Sequence, residues 1–239
     1  MLTKVVKVGG RSRDAAEKPF WISYADLMTA LMVLFLVAMS VALLAVTKKI
    51  SEQERRKQAH DSAIMELLDR LEVVASKFPG VKLDRDRKVI DFQERVLFEK
   101  NEYHLRDEQA QLLRAFVPDV LTIAATDLGK QVLKRVVIEG FADQTGTYLY
   151  NLNLSLQRSQ GVLCGLFAKP SISEAALSGD QLGQIRDLFV VGGYAFNNAR
   201  KTAAESRRVE LRLELYGVDE EHLPAPVVPP ENFGDCQLR

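Results

Sequence analysis

Residues 22–46 read ISYADLMTALMVLFLVAMSVALLAV, and this stretch decides the architecture. It contains no Lys, Arg, Glu, Gln or Asn, and Asp26 is its one ionisable side chain besides the phenol of Tyr24. Coiled as a helix rising 1.5 Å per residue, it reaches about 37 Å, enough to cross a hydrocarbon core of roughly 30 Å. The run is too long for a signal-peptide core and continues into charged sequence without a small-residue cleavage site, so it reads as a retained membrane anchor. Trp21 and Tyr24 stand where interfacial aromatic residues stand, and Lys48 and Lys49 close the other end.

Flanking charge does not orient the span. Residues 1–18 carry five basic against two acidic groups, and residues 48–60 carry the same five and two, leaving His60 aside. Overall the 239 residues hold 32 basic and 32 acidic side chains, a balance that gives no electrostatic argument for nucleic acid. His60, His104 and His222 lack ligand spacing and read as surface residues; no metal or cofactor is expected, and no nucleophile motif or phosphate loop argues for an enzyme.

Beyond the span, Ile64, Leu67, Leu68, Leu71, Val74, Ala75 and Phe78 recur at three- and four-residue steps, and Pro79–Gly80 ends the pattern. This predicts a helical linker over 48–80, its stripe packing either on the following domain or on a second copy of itself. A folded domain is expected over 81–216. Strand character appears at Lys88–Phe92, Arg95–Phe98, Val136–Ile138, Leu188–Val191 and Arg208–Leu215, with helices over about 105–128, broken or kinked at Pro118, and about 154–167. That order suggests a two-layer α/β sandwich. Residues 1–18 read as a polar tail and 217–239 as a Pro-rich tail with Pro224, Pro226, Pro229 and Pro230. Cys164 reads as a buried helix cysteine in preference to a disulfide partner of Cys236.

A carboxylate one turn inside an apolar span costs several kcal/mol facing lipid, about 2.5–3.5 at the helix centre and less near the edge. Thr29, Ala30 and Val33 share its face and are smaller and more polar than Leu27, Leu31 and Leu34 opposite, which suits a helix–helix interface. Asp26 is then either an ion-binding group in an aqueous path or a carboxylate that ends the span at the headgroups.

The segment Trp21-Ile-Ser-Tyr-Ala-Asp26-Leu-Met-Thr-Ala30 resembles the membrane segment of the flagellar stator B subunit, MotB. The resemblance implies that Asp26 carries H⁺ or Na⁺, with Tyr24, Thr29, Ala30 and Val33 lining the channel or packing. It implies a cytoplasmic N-terminus, a dimer of this chain in the inner membrane, and a ring of five MotA-like polytopic subunits as partner. Ile138-Glu-Gly140-Phe-Ala-Asp143-Gln-Thr-Gly146, with Asn151 and Leu154-Ser155-Leu-Gln-Arg158, looks like the OmpA-like peptidoglycan-binding module, of βαβαββ type and periplasmic. There Asp143 and Arg158 would clamp the diaminopimelate of the wall peptide, Gly146 and Asn151 would join them in the peptidoglycan-binding site, and Gly140 and Gly146 would give the loop its freedom to close. Phe141–Ala142 departs from that family's pattern by a missing hydroxyl. The chain's size and short link resemble the ZorB subunits of the Zorya anti-phage defence system, which implies cytoplasmic defence effectors as indirect partners; flagellar motility is the alternative, and a non-conducting wall tether a second.

Overall fold

The computed structural model describes residues 18–168, 176–222 and 233–236. The N-terminal tail and prolines 224–230 lie outside the described residues. The chain divides into two compact units at Arg56/Lys57. Helix α1 (Lys18–Ser76) begins in the first and ends in the second. Pro19 sits at its start, where a missing N–H costs nothing, and the next proline is Pro79, just past its end. In the first unit α1 holds an 18-residue window of mean hydropathy 2.7, and its apolar side chains are exposed. This is a helix long and apolar enough to cross a membrane.

The second unit reaches back to Lys57, and the apolar stripe packs into the domain's core, the first of the two expected arrangements. Leu67, Leu68, Leu71, Val74 and Ala75 are buried there with Phe92, Phe116 and Val120. Phe116 takes Phe78 and Phe92 edge-on at 5.3 and 5.6 Å. The chain then runs through β1 (Lys82–Asp84), β2 (Val89–Asp91), α2 (Asp107–Ala124), α3 (Asp127–Val132), β3 (Leu133–Gly140), α4 (Tyr148–Phe167), α5 (Gly179–Leu188), β4 (Phe189–Gly193), α6 (Ala203–Ser206) and β5 (Val209–Leu215). The strands form one mixed sheet in the order β1-β2-β5-β3-β4, parallel only between β3 and β4. The expected two-layer sandwich is present, with the core between the sheet and the helices.

Three local expectations change. Arg95–Phe98 is not a strand: Gln93–Val96 forms a 3₁₀ turn and only Leu97 bridges, to Arg208. Pro118 lies inside α2 without breaking it, and the break comes at Thr126, whose hydroxyl caps α3 by accepting from the Gly129 amide. Cys164 is half-buried and disulfide-bonded to Cys236, with Cα atoms 5.6 Å apart. The tail reaches it because Phe233 packs on Phe167 of α4 at 5.2 Å, a docking that cysteine spacing alone does not reveal.

Candidate functional site

Residue 140 and residue 193 face each other across the parallel pair β3–β4, and both are glycine. A Cβ at Gly140 would stand 1.9 Å from the Ser155 carbonyl oxygen, and one at Gly193 would stand 2.8 Å from the Leu156 nitrogen. Helix α4 therefore lies with its backbone on the sheet. Gly140 serves this close approach and not loop freedom; Gly146, at φ +103°, is the glycine that the following loop needs. Beside them Ala195 is held at φ 50°, donating from its amide to Ser155 Oγ (3.0 Å) and accepting from the Ala142 amide (2.7 Å).

The loops leaving β3 and β4 meet the N-terminus of α4, and Asp143 sits at their junction. It is 7% exposed. One carboxylate oxygen accepts from the Thr145 amide at 2.9 Å and the other from Arg207 Nη1 at 3.1 Å. Burial pushes the Asp143 carboxyl up, but the Thr145 amide and the Arg207 guanidinium outweigh it and hold the group below the usual carboxylate range. Asn151, 1% exposed, donates from Nδ2 to the Thr145 carbonyl at 2.9 Å and ties the loop to α4.

Arg158 is brought to the same place but not into the expected pair. It is fully buried, and Nε, Nη1 and Nη2 donate to the carbonyls of Glu102 (2.8 Å), Phe141 (2.8 Å) and Glu99 (3.1 Å), with the guanidinium 5.1 Å from the Phe98 ring centre. Burial, then the nearby Arg207 charge, pushes its pKa down to about 10. The cation on Asp143 is Arg207, at the end of α6 just before β5, a residue that sequence patterning did not single out. Its position just before the alternating Val209, Leu211 and Leu213 was the signal available. Tyr148, Leu149 and Tyr150 on the first turn of α4 are exposed beside the loop. Phe141 and Ala142, the departures from the module's pattern, are buried.

In the first unit Asp26, Thr29, Ala30 and Val33 lie on one face of α1, given about 100° per residue, whereas Tyr24 lies nearly opposite. The Thr29 hydroxyl donates to the Asp26 carbonyl at 2.9 Å. Among the described residues no group of three or more His, Cys, Asp or Glu could hold a metal.

The family model for the membrane MotB of the proton-channel complex MotA/MotB matches residues 7–61. A Zorya protein ZorB from Escherichia coli O139:H28 is 44% identical over 232 residues, 95% of this chain and 94% of that protein. Solved structures with some likeness include the periplasmic domain of Helicobacter pylori MotB (18% identity, 61% of this chain and 86% of that chain, TM-score 0.40). Another is the OmpA-like domain of FopA1 from Francisella tularensis (19% identity, 54% and 75%, TM-score 0.36). The family and the one apolar helix among the described residues make the chain a single-pass inner-membrane protein. The disulfide suits an oxidising compartment. Identity sustained over 95% of the chain, from the Asp26 segment through the folded domain, places it in the MotB-like ZorB family, as a stator-type membrane anchor.

Proposed function

We propose that two copies of this chain form the fixed axle of an ion-driven motor that serves anti-phage defence. Each copy is held to peptidoglycan by its periplasmic domain, and their membrane helices stand inside a ring of five MotA-like subunits. Protons, or Na⁺, load in turn on the two Asp26 carboxylates, and release drives the ring in steps around them. One elementary charge crossing the membrane supplies about 2.3 kcal/mol per 100 mV. Motion of the ring is passed to cytoplasmic effectors.

The observation that carries this reading is the position of Asp26. It is the single carboxylate in 25 apolar residues, on a face with Thr29, Ala30 and Val33, in a chain related to ZorB along its whole length. A lone helix encloses no path, so that carboxylate needs a polytopic partner. At the other end Asp143 supplies an anion for the ammonium of a wall peptide, in a loop that Gly146 and Asn151 shape.

The test is phage challenge with Asp26→Asn beside wild type, at matched expression and with the co-purified partner measured. The motor reading expects protection to vanish while assembly persists. Full protection by a normally assembled D26N protein refutes it and leaves a non-conducting tether.

A further inference from the structure

We infer that residues 233–236 form a redox-sensitive strap. Closed by the Cys164–Cys236 disulfide, they fasten α5 to α4, and a dithiol that opens the bond releases α5. Neither half rests on the wall-binding or the motor reading.

Helix α5 is weakly held by the rest of the domain. It is ten residues long, and helices shorter than about 12–15 residues are marginal by themselves. Of its side chains Ile185 is buried, while Leu182 and Leu188 are partly buried against the core. Gly183 lowers its helix propensity, and an added Cβ there would meet nothing within 4 Å. The Ser178 cap secures the first turn alone.

Residues 233–236 supply the missing tie. The half-buried Phe233 ring packs on Phe167 of α4 at 5.2 Å, and the Arg186 guanidinium of α5 lies 6.0 Å from the same ring centre. Cys164 and Phe167, three residues apart, share one face of α4. They take Cys236 and Phe233, also three apart, and Gly234 turns the chain between these two at φ +66°. The bond is within reach of a small thiol: Cys236 is exposed, Cys164 is half-buried, and both line a cleft of about 580 Å³ between the strap and the helices. A thiolate of the dithiol attacks Cys236 Sγ, and the S–S bond breaks with its electron pair on Cys164 Sγ. The second thiolate then attacks the dithiol's own sulfur and releases Cys236. Two electrons and two protons pass from the dithiol, which ends as a cyclic disulfide, to the cysteines, which end as thiols.

Full-length protein in detergent is kept oxidised or reduced with dithiothreitol, for wild type and Phe233→Ala. Amide exchange is followed at 182–188, in β3 and in β5, and alkylation with mass analysis counts the thiols. Oxidised F233A is expected to exchange about tenfold faster than oxidised wild type at 182–188, the size of one aromatic contact, with β3 and β5 within about twofold. Reduced wild type is expected to be at least about tenfold faster there, beyond any rise in β3 and β5. Reduced F233A should be no faster than reduced wild type, because the segment has already left. Equal rates at 182–188 in oxidised and reduced wild type overturn the strap. So does an oxidised F233A that matches wild type, or that speeds β3 and β5 as much as α5. A Phe233→Ala effect of the same size after reduction means the segment docks without its bond, and overturns the redox control. Should F233A not form the bond, the wild-type pair decides, a rise confined to α5 supporting and a uniform rise overturning.

Discussion

Replacing Gly140 with alanine tests whether the whole site depends on α4 touching the sheet. The added Cβ would lie 1.9 Å from the Ser155 carbonyl oxygen, 2.9 Å from its carbon and 3.2 Å from the Ser159 nitrogen. Carbon and oxygen in ordinary contact are roughly 3.3 Å apart, so α4 has to retreat by about 1.4 Å. The obstacle is backbone, and no rotamer change relieves it. Overpacking of this kind costs about 1–3 kcal/mol. A retreat of that size also stretches the Ser155–Ala195 bond (3.0 Å) and the Arg158–Phe141 bond (2.8 Å), adding about 0.5–1.5 kcal/mol for the neutral bond and 1.5–3 for the charged one. The total, about 3–7 kcal/mol, is a large share of a domain's usual 5–15 kcal/mol. At about 2–4 °C per kcal/mol for a chain of this size, melting followed by circular dichroism falls by roughly 6 °C or more. A G140A protein that melts within about 2 °C of wild type refutes the claim that α4 rests on this glycine.

The opposite sign is expected at Gly183 in α5, where an added Cβ meets nothing within 4 Å. Gly183→Ala should stabilise by about 0.5–1 kcal/mol in urea unfolding, through reduced freedom of the unfolded chain. Acid stability follows from Asp143 and Glu210, both held below their ordinary 3.8 and 4.5. For Glu210 burial pushes upward, and the Arg208 and Arg87 guanidiniums outweigh it. A depressed carboxyl contributes stability that is complete above its unfolded value and lost as pH falls through its native one. Stability should therefore rise with pH below about 4.5, and Asp143→Asn should make that acid limb shallower; an unchanged slope counts against the Arg207 pair. The disulfide closes a 72-residue separation, and its loss in Cys236→Ser should cost about 4 kcal/mol by the chain-entropy estimate, measured by unfolding with and without reductant.

What the sequence made legible was periodicity. The apolar run of residues 22–46, the stripe from Ile64 to Phe78 and the alternation of Val209, Leu211 and Leu213 each correspond to an element of the structure. Elements without periodic apolar content were missed: β1 is Lys82-Leu83-Asp84, and α5 buries only Ile185. Pro118 misled because a proline within a long, well-buried helix forfeits one hydrogen bond, and eight buried apolar residues on α2 outweigh it. Spacing singled out Asp143 and Arg158 but could not say which atoms the guanidinium meets. Fifteen residues of separation bring Arg158 onto the carbonyls of Glu99, Glu102 and Phe141, whereas Arg207, sixty-four residues from Asp143, meets its carboxylate through the pairing of β3 with β5.

The same limit governs the other face of β5. Alternation predicts that Glu210 and Arg212 point away from the apolar core, toward water. Instead Glu210 and Glu139 are both fully buried, and they lie directly across from each other in the β3–β5 register. Two like charges so placed destabilise a sheet unless each is neutralised. Glu139 takes a two-nitrogen contact from Arg212, and Glu210 takes the remote Arg87 together with Arg200 and its near neighbour Arg208. Arg208 then lies 4.1 Å from the centre of the Phe141 ring, and its carbonyl accepts from the Phe141 amide. Each of the two buried carboxylates fixes one partner distant in sequence, Arg212 for Glu139 and Arg87 for Glu210, and removing such a partner leaves an uncompensated ion at high cost. The polar face of the sheet is thus as specific as the apolar one. It locks β5 in the register that puts Arg207 against Asp143, which a solvated face of interchangeable charges could not do.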